Sequence, residues 1–121
     1  MAHKIASATP HKLLTIVCTY YGLKSVKQLA ATARPDLWRH PAVLEEAQRI
    51  ACWILRRHCD LSLEELQVAL KQLKWNGAFI RLAAEQAKRK LAEGDFDFRL
   101  AVENIEQMIL ATFIGKKKGN G

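Results

Sequence analysis

Ala47, Ile50, Ala51, Ile54 and Leu55 recur at i, i+3, i+4, i+7 and i+8. This spacing lines apolar side chains along one face of an α-helix, so the middle of the chain reads as a long amphipathic helix from about Pro41 to His58. Arg56 and Arg57 fall in its last turn, where positive charge suits the helix dipole. Asp60 or Ser62 can cap a new helix directly afterwards, and Ser62 with Glu65 three residues on has the form of a capping box. A helix, a tight break and a second helix is how a helix-turn-helix begins. The second helix is predicted from Ser62 to about Leu70, with Leu63, Leu66, Ala69 and Leu70 inward and Glu64 and Glu65 in its first turn. Lys71 to Lys74 makes the turn. Asn76 is a natural N-cap for the next helix, whose broad apolar face comprises Phe79, Ile80, Ala83, Ala84, Ala87 and Leu91.

The flanks carry the same period. Thr9 and Pro10 read as an N-cap followed by proline in a first helical turn. That helix runs to about Tyr21, burying Leu14, Val17, Cys18 and Tyr21, and Gly22 ends it. Ser25 caps a short second helix to about Thr32, with Val26, Leu29 and Ala30 buried. Pro35 and Pro41 interrupt helix on either side of a connection spanning residues 33 to 41, whose Trp38 can tuck into the core. After Gly94, Asp95 caps a last helix to about Ile114, with Phe98, Ala101, Val102, Ile105, Met108, Ile109 and Phe113 as its stripe. Thr112 also falls on that stripe and weakens it. Asp95, Asp97, Glu103 and Glu106 are expected to make the exposed side acidic. No segment alternates like a strand, so the expectation is an all-α chain of about six helices around a central helix-turn-helix. Its parts are a flexible arm (residues 1–8), one helical domain (9–114) and a flexible basic tail (115–121).

The formal net charge of +7 favours a polyanionic partner, although part of such an excess can serve only as a solubilising surface. Cys18, Cys52 and Cys59 are odd in number and in no Cys-x-x-Cys spacing, which fits buried thiols in a reducing compartment. Cys52, His58 and Cys59 do not make a convincing metal site, because the helix should end between the two cysteines and no fourth ligand is suitably spaced. No apolar run resembles a signal-peptide core or a membrane span, so a soluble cytoplasmic protein without a membrane partner is expected. No Gly-x-x-x-x-Gly-Lys-[Ser/Thr] phosphate loop is present, since Gly115-Lys116 does not match it. No nucleotide, cofactor or catalytic constellation is therefore expected, and the chain is read as a non-enzyme.

Ala47, Ile50, Ala51, Trp53, Ile54 and Arg56, followed by Asp60, Leu61, Ser62, Leu63, Glu65 and Leu66, fall in one ordered pattern with the run Val17 to Leu23, Val26 and Leu29 upstream. Over roughly residues 13 to 92 this pattern resembles the C-terminal DNA-binding domain of the bacterial replication initiator DnaA. The resemblance implies a Trp-repressor-like helix-turn-helix that binds short duplex sites in the bacterial cytosol or nucleoid, in control of replication or transcription. One departure matters. The family's recognition helix opens with Asp-His-Thr-Thr-Val, and the corresponding region here, Leu73 to Arg81, has none of that polar set. The resemblance therefore implies an inherited frame with a changed sequence preference.

Within a helix-turn-helix, the first residues of the second helix approach base edges. The candidates for DNA contact are Lys71, Lys74, Trp75, Asn76, Arg81 and Lys88. Asparagine can bond adenine in two places and arginine guanine. Asn76 can equally be a cap, Trp75 a core residue, and Lys88 with Arg89 and Lys90 a solvated helix end. The resemblance also implies a basic loop reaching into the minor groove, a role open to Arg34, Arg39 and His40; the alternative is an ordinary proline-bounded loop. Two readings of function follow: duplex-DNA binding, or a helical adaptor that kept the fold and meets a protein partner, for instance through its C-terminal helix.

Overall fold

The computed structural model describes residues 9–30 and 41–115. Among these residues the regular structure is helical and contains no strand. Six α-helices follow in chain order: α1 (Pro10–Tyr21), α2 (Val26–Ala30), α3 (Pro41–His58), α4 (Leu63–Ala69), α5 (Gly77–Ala92) and α6 (Phe96–Leu110). A short 3₁₀ turn (Lys71–Leu73) links α4 to α5, and α6 widens into a π-helical turn over Ala111–Gly115. The arm at residues 1–8, the loop candidates Arg34, Arg39 and His40, and tail residues 116–121 lie outside the described residues.

The helix ends are set by local chemistry. Thr9 Oγ1 accepts the Lys12 N–H at 3.3 Å, and Pro10 occupies the first position, where no N–H is missed. Gly22 closes α1 at φ 73°, a left-handed conformation that lets the Leu23 N–H turn back to the Cys18 carbonyl at 2.8 Å. Ser62 and Glu65 form a reciprocal capping box: the Glu65 N–H donates to Ser62 Oγ at 3.1 Å and the Ser62 N–H to Glu65 Oε1 at 2.8 Å. Asn76 caps α5 and Asp95 caps α6, accepting the N–H groups of Phe79 and Phe98 at 2.8 and 3.0 Å.

α3 is the central column. Ala47, Ile50, Ala51, Cys52, Ile54 and Leu55 are all fully buried, and α3 packs most extensively on α5 and next on α1. α6 lies across α1 and α5. Polar ties fix these contacts at their rims. The Tyr21 hydroxyl donates to Glu46 Oε2 at 2.7 Å, Gln48 Nε2 to the Leu29 carbonyl at 2.8 Å, and Arg49 Nε to Gln86 Oε1 at 3.0 Å. Burial, helped by the Glu46 carboxylate, pushes the Tyr21 phenol well above its ordinary range.

Two sequence expectations change. Ala69, expected inward, is exposed: α4 is a single short helix whose buried contacts are made by Leu66 and the capping residue Leu70, and Ala69 lies at the edge of a surface cleft instead. Glu106, expected on a free acidic face, is half-buried against the end of α3, with one carboxylate oxygen 3.0 Å from Arg57 Nε and 2.8 Å from His58 Nε2. An α6 register that buries Phe98, Ala101, Val102, Ile105 and Ile109 brings Glu106 to that seam. Leu13, Ile16, Leu44 and Cys52 join the core beyond the stripes read from the sequence.

Candidate functional site

The connection between α4 and α5 is built for close approach. The Gly77 N–H donates to Gln67 Oε1 of α4 at 2.8 Å. A Cβ on Gly77 would stand 3.1 Å from that oxygen and 3.4 Å from Leu63 Cγ, so glycine allows α5 to start directly against α4. Lys74 sits at φ 62°, in the left-handed region, and is exposed, as is Lys71. Trp75 is 5% exposed and packs on Phe79 with ring centroids 5.2 Å apart. Its candidacy for a surface contact is therefore corrected: the left-handed turn at Lys74 sends the indole into the core. Asn76 is exposed, but its Oδ1 already holds the Phe79 N–H.

A groove of about 420 Å³ opens between the C-terminal half of α3 and the outer edge of α5. Trp53, Arg56 and Arg57 line it from α3, and Arg81, Ala84, Glu85 and Lys88 from α5. Arg81 and Lys88 are seven residues apart, two helical turns, and so point the same way. The Arg57 guanidinium lies over the Trp53 ring, 4.9 Å from its centroid, while its Nε is tied to Glu106. The arginine is thereby held by an aromatic face and a carboxylate, and loses less freedom when it binds something else. Burial alone would raise the Glu106 carboxyl, but the hydrogen bond and charge of His58 and the charge of Arg57 outweigh it and hold it below the usual range. Four basic side chains beside Glu85, with Glu106 pairing Arg57 from behind, over an aromatic floor still leave the groove net positive and suited to an anionic partner.

The sequence candidates divide accordingly. Arg81 and Lys88 meet in the groove; Lys71, Lys74 and Asn76 line the exposed turn before α5; Trp75 is internal. Sequence reasoning did not include Trp53, Arg56 and Arg57 in the site. Their signal was present, as an arginine pair at a helix end with an aromatic one turn earlier. The missing information was that α5 lies beside that edge of α3. The exposed face at the start of α5 carries Ala78 and Leu82, the latter 57% exposed, where a base-reading helix would carry polar groups.

A second cleft, about 580 Å³, lies between α1, the α1–α2 corner and the 3₁₀ turn. Cys18 lies at its floor, its thiol donating to the Ser25 carbonyl at 3.6 Å. All three cysteines are buried and none is in a disulfide; burial raises the thiols of Cys18, to about 11, and of Cys52. Among the described residues no group of three or more His, Cys, Asp and Glu side chains could hold a metal ion, and no helix is long and apolar enough to cross a membrane. Comparison of the chain with known protein families, with characterised proteins and with solved structures finds no match.

Proposed function

We propose that this chain binds duplex DNA, using the α3–α5 groove together with the turn before α5. The observation that carries this reading is the convergence of Arg56, Arg57, Arg81 and Lys88 around Trp53 in one groove. The net charge of +7 supports it, and so does the packed pair α4–α5 joined by a turn, which is the arrangement the DnaA-like sequence pattern implies. On this reading the frame is Trp-repressor-like and the protein acts in the bacterial cytosol, in replication or transcription control. Phosphate attraction by Lys71, Lys74 and Lys88 supplies most of the affinity. Arg81 is the strongest base reader, because its fork can take guanine in two places. The apolar start of α5 gives a sequence preference unlike that of ordinary DnaA domains. The exposed Ala78 and Leu82 also favour a second reading, an adaptor whose α5 meets a protein.

Anisotropy titration of the whole chain against a random 20-base-pair duplex over a range of salt tests the proposal, followed by selection from a random duplex library. The double variant R81A/K88A is expected to weaken binding across all sequences and to reduce the salt slope by about one, at roughly 0.9 per phosphate contact, Lys88 being the phosphate contact of the pair. R81A alone is expected to cost about 1–3 kcal/mol at one base position of any selected site. No binding at low salt, or binding that the double variant leaves unchanged, would overturn the reading and favour the adaptor.

A further inference from the structure

The side of α6 turned away from the core carries Phe96, Leu100, Glu103, Gln107 and Leu110, all exposed. Their spacing of four, three, four and three residues is that of a coiled-coil seam, with Leu100 and Gln107 at one of the two alternating seam positions and Phe96, Glu103 and Leu110 at the other. Phe96 is 72% exposed and Leu100 and Leu110 are 44% and 42% exposed, so three large apolar side chains share the solvent-facing side of one helix.

We infer that α6 is a self-association surface, pairing antiparallel with α6 of a second copy of this chain. The seam is complementary to itself in one orientation. When the two helices run antiparallel and the alternating positions face each other, Leu100 of each protomer meets Leu110 of its partner, and Glu103 meets Gln107. The polar pair is then a hydrogen bond from an amide to a carboxylate, made twice about the dyad. A parallel pair in register would instead set Glu103 against its own copy, as would the antiparallel register slid by four residues. Glu106 flanks the seam, but its charge is shared with Arg57 and His58 of its own protomer and does not oppose closure. In this register Phe96 of each protomer faces the π-helical turn Ala111–Gly115 of its partner. A 15-residue helix is short, so the buried area falls below that of a standard stable interface and the dimer is weak, with a dissociation constant in roughly the micromolar range or above.

The inference does not depend on DNA binding, and its test contains none. Sedimentation equilibrium of the whole chain measures the monomer–dimer constant, with circular dichroism checking that each variant remains helical. Gln107→Lys places a cation opposite Glu103 of the partner at both ends of the dyad and should tighten the dimer on the order of fivefold, as two exposed ion pairs would. Gln107→Glu should weaken it by a similar factor. The swapped double variant, Glu103→Lys with Gln107→Glu, should restore association relative to Gln107→Glu alone, which a parallel pair could not do. A wild-type chain that stays monomeric to millimolar concentration, or lysine and glutamate at position 107 acting in the same direction, would overturn the inference.

Discussion

Lys74 occupies a backbone conformation that costs a side-chain-bearing residue about 1–3 kcal/mol, in a turn where glycine would be unstrained. Strain of this kind is informative only if the side chain does something the backbone does not. Lys74→Gly is expected to raise stability by roughly 0.5–1 kcal/mol in denaturant unfolding, the relieved strain being partly offset by the freer unfolded chain. If the ammonium meets a phosphate, the same variant will bind duplex more weakly, with a salt slope smaller by about one. A gain in stability with unchanged binding would leave Lys74 a merely strained turn residue. The lysine was legible in the sequence as part of a turn. Its left-handed φ was not, because it follows from the 3₁₀ turn before it and from the burial of Trp75 after it, neither of which local spacing reveals.

At the scale of elements, the limits of α1, α3 and α5 were readable because each is written locally, in Thr9-Pro10, in Pro41 and in Asn76-Gly77. What one helix meets on another was not. Periodicity separates the buried side of α6 from the exposed side but does not place Glu106 against Arg57 and His58, or set Arg81 and Lys88 beside Arg56. The Glu106 contact has a pH signature. Its folded carboxyl titrates below the unfolded one, so its contribution is complete above the ordinary carboxylate range and is lost as pH falls through the lowered folded value. Unfolding free energies measured down that acid limb should show Glu106→Gln destabilising by about 1–3 kcal/mol near neutrality, as expected for a hydrogen bond to a charged group. The difference should shrink at acid pH. A constant gap at every pH would mean that Glu106 contributes packing and no charge.

At the scale of the whole molecule, the burial of Cys18, Cys52 and Cys59 turns the fold into its own stopwatch. A thiol that is both covered and held protonated reacts with an alkylating reagent only when the chain opens, so the rate of modification measures opening. The three positions sample different depths. Cys18 lies under the α1–α2 corner, beside a cleft, whereas Cys52 faces the α3 core and has no exposed surface. Iodoacetamide labelling under native conditions, resolved by peptide mass, should therefore modify Cys18 through fraying of that corner well before Cys52. Equal rates at both would mean that the molecule has no partly open states and comes apart only as one unit.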